Sequence, residues 1–162
     1  MQEKTRALGV VTIEVNGPSG ELIQKQSNII TATGLGYIAD LLSNAPTKPK
    51  FTTASSYIVV GTGYTGINNS AQTWVKTASG SPAPMQVGYP QPQGAFPNST
   101  VVFSSLFSAG TLNASNLNEA CLVNSPISGS GISLAYAQIN PPVSITSVDS
   151  LTITWSISFT AV

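Results

Sequence analysis

From Leu151 to Phe159, the apolar residues Leu151, Ile153, Trp155, Ile157 and Phe159 alternate with Thr152, Thr154, Ser156 and Ser158. A period of two is the signature of a β-strand, in which successive side chains point to opposite faces; on a helix the same residues would be spread around the whole circumference. One face of this strand is therefore buried, with Trp155 in its middle, and the other is covered in hydroxyls. A second strand near Leu8–Val15 carries Val11, Ile13 and Val15 on one face. Asn16-Gly17-Pro18-Ser19-Gly20 breaks it and Glu21–Gln26 follows, which predicts an N-terminal hairpin with a five-residue turn.

Further strands are expected at Tyr57–Gly61, Gln72–Lys76, Thr100–Phe107, Leu117–Val123 and Ile132–Ile139. One short helix is expected over residues 33–44, with Thr33 as its cap and Leu35, Ile38, Ala39, Leu41 and Leu42 at helical spacing; Pro46 and Pro49 prevent its continuation. Gly34 and Gly36 oppose it by roughly 1 kcal/mol each if they lie inside. Residues 78–98 hold five prolines and no charge. Such a segment cannot occupy the interior of a sheet, so it is expected as a surface loop or as an arm lying on a neighbouring subunit. The sum is one mostly-β domain over 1–162, an antiparallel β-sandwich or flattened, jelly-roll-like barrel, with an N-terminal arm at 1–7.

Charge narrows the function. Only 7% of the 162 residues are charged, six basic and six acidic, and after Lys76 only Glu119 and Asp149 remain. Ordinary globular chains carry about 25%. A hydrophobic content of 41% argues against disorder. A neutral, hydroxyl-rich surface suits packing against other subunits. Nucleic acid is excluded as a partner by the scatter of the basic residues, because phosphate binding needs them clustered. No apolar run approaches the roughly 18 residues of a membrane helix, and MQEKTRALGVV lacks the apolar core of a signal peptide. The expectation is a cytoplasmically made protein, soluble until it meets a partner.

There is no histidine and one cysteine, Cys121. Histidine-based catalytic arrangements, zinc sites and intrachain disulfides are thereby excluded, and Cys121 within ACLV reads as a buried, inert thiol. The carboxylates form no local cluster, so a two-carboxylate glycosidase has little support. Glu119 stands alone in LNEACLV. A carboxylate among apolar residues must be paired, which favours a structural, buried group bonded to backbone amides over one facing solvent or a subunit contact.

GTGYTG at Gly61–Gly66 fits G-x-G-x-x-G and follows an apolar strand. A dinucleotide site requires a helix directly after the glycines and an acidic residue about 20 positions on. Neither exists here, because INNSAQTWVKTASG lacks a helical period and Ser81–Tyr89 contains no acid. Gly61 and Gly63 are instead expected to provide close backbone approach or positive φ where a strand turns into a loop.

Asn28-Ile29-Ile30-Thr31 with Gly34 and an Ile-Ala-Asp-Leu-Leu helix resembles the opening of a group of tailed-bacteriophage virion proteins. Later segments fit the same group: Ile58–Thr65 as I-x-V-G-T-G-x-T, Glu119-Ala120-Cys121-Leu122 as E-A-x-L, Ala135–Pro142, and Leu151–Phe159 as L-T-I-x-W-x-I-x-F. The similarity spans about Asn28 to Phe159. Two departures are Cys121, where the group has glycine, and the longer proline-rich loop. The resemblance implies a small β-rich structural part of a head, neck or tail without catalytic activity or cofactor. Its location would be the virion, assembled in the bacterial cytoplasm, most naturally as a capsid decoration or cement protein bound to the major capsid protein and to its own copies. A tail, neck or baseplate role is the near variant. Met85, Tyr89, Phe96, Tyr64 and Trp74 are the candidate interface residues; Asn28, Gly61, Gly63, Glu119 and Trp155 are the candidate structural ones. A carbohydrate-binding module using Tyr64, Trp74, Tyr89 and Phe96 for stacking, with Asn68, Asn69 and Gln72 alongside, is the reading from a different class, and it ranks below packing of these aromatics at an interface or core.

Overall fold

A computed structural model describes residues 5–66, 71–94 and 99–161. Strands β1 (Thr5–Gly17) and β2 (Gly20–Ile30) form the N-terminal hairpin and lead into helix α1 (Ala32–Leu41). Then come β3 (Tyr57–Gly61), β4 (Ala83–Pro84), β5 (Gln91–Gln93), β6 (Ser99–Phe107), β7 (Ala114–Val123), β8 (Ser133–Ile145) and β9 (Ser150–Ala161). They build one antiparallel sheet in the order β4-β3-β7-β8-β2-β1-β9-β6-β5, curled into a flattened half-barrel. The mostly-β, barrel-like class expected from alternation is the class observed.

The buried faces are those set by period two. Val11 and Ile13 of β1 and Leu151, Ile153 and Trp155 of β9 are fully buried, with Val11 opposite Trp155 and Ile13 opposite Ile153. Phe103 and Phe107 of β6 join the same interior. From the other half of the sheet, Ile58, Val60, Ala120, Leu122, Ala135 and Ala137 complete the core.

Local predictions needed correction in four places. The hairpin turn is tighter than five residues: Gly17 pairs with Gly20, leaving only Pro18-Ser19 between the strands, with Gly20 at φ +113°. The helix cap is Thr31, not Thr33, because the Thr31 hydroxyl accepts from the Gly34 amide at 3.0 Å. Thr33 lies in the first turn, and its hydroxyl donates at 2.8 Å to the Ser133 carbonyl, which also accepts from the Thr31 hydroxyl. Thr5–Ala7, in the stretch expected as an arm, belong to β1 and pair with the end of β9; residues 1–4 lie outside the described residues. Gln72–Lys76 forms no strand, for a reason given below.

The proline-rich segment supplies both edges of the sheet. β4 pairs with β3 through Ala83 and Pro84, and β5 pairs with β6 through Gln91, Pro92 and Gln93. Between them Met85 bridges the two edges: its amide donates to the Ser56 carbonyl beside β3, and it pairs with Ser105 of β6. Proline lacks an amide donor and is tolerated at a sheet edge, so this composition fits a closing strap.

Candidate functional site

Sheet positions facing away from the core carry a second, smaller cluster. Val59 of β3, Cys121 and Val123 of β7 and Tyr136 of β8 are buried there under Val75, with Tyr57, Tyr64 and Trp74 half-buried around them. The cover is the excursion between β3 and β4, which folds back over the outer face of β3, β7 and β8.

Glu119 pins that excursion. It is fully buried, and its Oε1 accepts from the amides of Gly63 (2.8 Å), Lys76 (3.0 Å) and Thr77 (3.1 Å). Oε2 accepts from the Tyr136 hydroxyl at 2.6 Å and shares the Lys76 amide at 3.0 Å. Next to it the Asn118 side chain accepts from the Tyr64 amide at 3.0 Å. At the end of Gln72–Lys76 the backbone donor of Lys76, like that of Thr77 after it, is thus spent on a side chain instead of a neighbouring strand, and the stretch forms no strand despite its alternating pattern. Burial and the bond to Glu119 push the Tyr136 phenol upward.

The glycines make this approach possible. A Cβ on Gly61 would lie 2.5 Å from the Thr77 carbonyl oxygen and 2.7 Å from Glu119 Oε1; on Gly63 it would lie 2.7 Å from the Thr77 amide nitrogen. Neither has positive φ, whereas Gly66 does, at +86°. Gly61 and Gly63 are therefore required for close approach and Gly66 for its dihedral. The Gly-rich loop does turn a backbone amide, that of Gly63, onto a carboxyl group, but the group is the protein's own Glu119.

The remaining candidate residues are dispersed. Met85 is in the core, 5% exposed, rather than on a docking surface, because it is the centre of the strap between the two edges. Tyr89 is partly buried against the core, and its carbonyl accepts from Thr53 Oγ1 at 2.5 Å. Tyr64 and Trp74 sit together at the rim of the outer cluster. Phe96, Asn68 and Asn69 lie outside the described residues. Asn28 lies across Gly9, where any Cβ would meet its side chain, and neither Asn28 Oδ1 nor Trp155 Nε1 has a hydrogen-bond partner among the described residues. Cys121 is fully buried, 3.1 Å from Ser133 Oγ, and burial pushes its thiol up to about 12.

Sequence reasoning missed an apolar hollow of about 300 Å³ between α1 and the ends of β6 and β9. Tyr37, Leu42, Phe51, Phe103, Ile157 and Phe159 are among its lining, which contains no Asp, Glu, Lys or Arg. Tyr37 and Phe51 meet edge-on at 5.1 Å, and the Tyr37 hydroxyl accepts from the Phe51 amide at 3.1 Å. Beside it Leu42 is 85% exposed and Leu35 52%, two residues seven apart on one face of the helix. The signal was present in the apolar spacing of residues 35–42, but that spacing does not say which apolar face stays uncovered.

Among the described residues no group of His, Cys, Asp and Glu could hold a metal ion, and no helix is long and apolar enough to cross a membrane. Protein-family models, curated proteins and solved structures were each compared with the chain, and none of them gives a significant match.

Proposed function

We propose that the protein is a non-enzymatic structural component of a bacteriophage particle, a decoration or cement protein that binds the capsid shell. The observation that carries this reading is the uncharged apolar hollow beside the exposed leucines of α1. An accessible apolar socket on a nearly charge-free domain favours adhesion to another protein through buried contact area. The segments on which the virion resemblance rests have positions that support it. Asn28–Gly34 makes the junction of β2 with α1, Gly61–Thr65 and Glu119 hold the excursion to the sheet, and Leu151–Phe159 forms most of β9, between β1 and β6.

Glu119, the carboxylate set deepest in the fold, has both oxygens engaged and is closed to solvent, which favours a structural role over hydrolysis. Tyr64 and Trp74 are committed to their own cluster, which counts against a sugar-stacking platform.

The test is to wash purified particles in high salt and count the copies retained. Retention, at a copy number matching the shell subunits, supports the reading, because apolar contacts are weakly screened. Release by salt overturns the apolar attachment, and a copy number matching a tail ring moves the protein to the tail, neck or baseplate. Leu42→Asp in the hollow's rim is expected to lower occupancy on the particle while leaving the isolated domain folded.

A further inference from the structure

β2 has two neighbours but uses only one of them along most of its length. It pairs with β1 continuously from Gly20 to Asn28, whereas β8 meets it only at Ile29 and Ile30. Beyond that point Ala137 and Gln138 pair only with β7, and after Ile139 come Asn140, Pro141 and Pro142, all exposed, two of them without an amide hydrogen. The Asn140 carbonyl is met by the Gln26 side chain at 2.6 Å instead of by a backbone amide.

The direction of the free groups follows from the ladder. In an antiparallel strand the amide and carbonyl of alternate residues point to opposite sides. Thr31, at the end of β2, donates its amide to the Leu134 carbonyl on the β8 side, so the odd-numbered residues face that side. Glu21, Ile23, Lys25 and Ser27 therefore present their amides and carbonyls to an open edge, and among the described residues no strand pairs with them. Their side chains share one face and are exposed, Ile23 by 53%.

We propose that this edge is an interface between two copies of the chain, which pair their β2 strands antiparallel about a two-fold axis at Ile23. The charges select both the occupant and the register. Centred on Ile23, each Glu21 lies opposite the other copy's Lys25, and the two Ile23 side chains meet on the axis. Moving the centre by one residue sets one of the charges against Ile23. Moving it by two sets Glu21 against Glu21 or Lys25 against Lys25, which is destabilising. In a chain with six basic and six acidic residues, opposite charges four apart on an otherwise unpaired edge make the strand complementary to itself. The facing pairs are in the hydrogen-bonding phase, so each exchanges two backbone bonds. The outcome is a continuous sheet across the dimer, an isologous interface. This inference does not depend on where the protein resides.

The experiment is sedimentation equilibrium of the full chain with two charge reversals. The native protein is expected to dimerise, and Glu21→Lys and Lys25→Glu are each expected to raise the dissociation constant on the order of tenfold, since two symmetry-related pairs turn from attractive to repulsive. Mixing the two variants is expected to restore dimers, because Lys then faces Glu at every position. Ile23→Pro removes an outward amide while leaving the β1 ladder intact, and it is expected to leave monomer with unchanged far-UV circular dichroism. Either a native protein that stays monomeric at high concentration or a dimer indifferent to both reversals overturns the proposal. A monomer whose Ile23 and Lys25 amides gain exchange protection only on another protein does so too, and assigns the edge to that protein's strand.

Discussion

The Gly63 amide and the Glu119 carboxylate, 56 residues apart in the chain, meet at 2.8 Å. This contact, repeated by Lys76 and Thr77, ties an irregular excursion to the outer face of the sheet. The apolar cover supplied by Val75, Trp74 and Tyr64 depends on it.

Replacing Glu119 by Ala leaves three part-buried amides on the excursion and the buried Tyr136 hydroxyl without their acceptor, so a loss of about 3 kcal/mol in urea unfolding is expected. Tyr136→Phe removes one bond to the carboxylate and is expected to cost about 2 kcal/mol. The double variant should lose less than the sum, because the two side chains act as one unit. In hydrogen exchange the Gly63, Lys76 and Thr77 amides should lose protection ahead of the β1–β9 ladder. Equal loss across the molecule would contradict the role given to Glu119.

Glycine substitutions separate close approach from open space. Gly61→Ala, Gly63→Ala and Gly34→Ala all drive a Cβ into backbone atoms, at 2.5, 2.7 and 2.2 Å respectively, and each is expected to lower the melting temperature. Gly36 sits in the same helix as Gly34 with nothing near its missing Cβ. Gly36→Ala is therefore expected to stabilise the protein, by about 1 kcal/mol. Thermal unfolding of the four variants should show three decreases and one increase.

Acid should loosen two surface turns. The amides of Lys48 and Thr47 hold the Asp40 carboxyl below its ordinary 3.8, and the Thr146 hydroxyl and amide do the same for Asp149. A carboxyl depressed in the folded state adds stability above its unfolded value and loses it as pH falls through the folded one. The loosening is therefore expected below pH 3.8, and it should be absent at neutral pH. NMR titration of the Thr47, Lys48 and Thr146 amides checks this. In Asp40→Asn the Thr47 and Lys48 shifts should no longer titrate.

Cys121 should be silent toward thiol reagents while the fold is intact. Burial removes access and holds its thiol near 12, so little thiolate forms at ordinary pH. A disulfide-exchange assay should read no reactive thiol in native protein and one per chain in denaturant. Reaction of the native protein at the denatured rate would show that the outer cluster opens.

How much was legible depended on where each backbone bond goes. β1 and β9 bury their side chains on alternate positions, so Val11, Ile13 and the Leu151–Phe159 series announced themselves, whereas β3 and β7 are buried on both faces. Gln72–Lys76 alternates as convincingly, yet its last amide, that of Lys76, is claimed by Glu119 from a distant strand, which local pattern does not encode. The sequence points to Thr33 as the cap, but Thr31 takes that place because β8 fixes it, through the bond of its amide to the Leu134 carbonyl and the packing of Gly34 against Leu134. The proline count excluded a sheet interior for residues 78–98, but the positions of Pro84 and Pro92 on opposite edges follow from a closure that only the curled sheet creates. The hollow under α1 was illegible for a related reason: its walls come from the helix, the Phe51 turn and the strand ends, which are far apart in the chain.

The two outermost strands of the sheet, β4 and β5, lie within a single stretch of eleven residues, Ala83–Gln93. Guarding of the sheet's margins is therefore all or none: a protease nick or a local melting event near Met85 would lay bare β3 and β6 together. Unpaired margins of this kind seed aggregation. Shelf life and solubility should accordingly track the integrity of this short stretch more closely than they track the strength of the central strands.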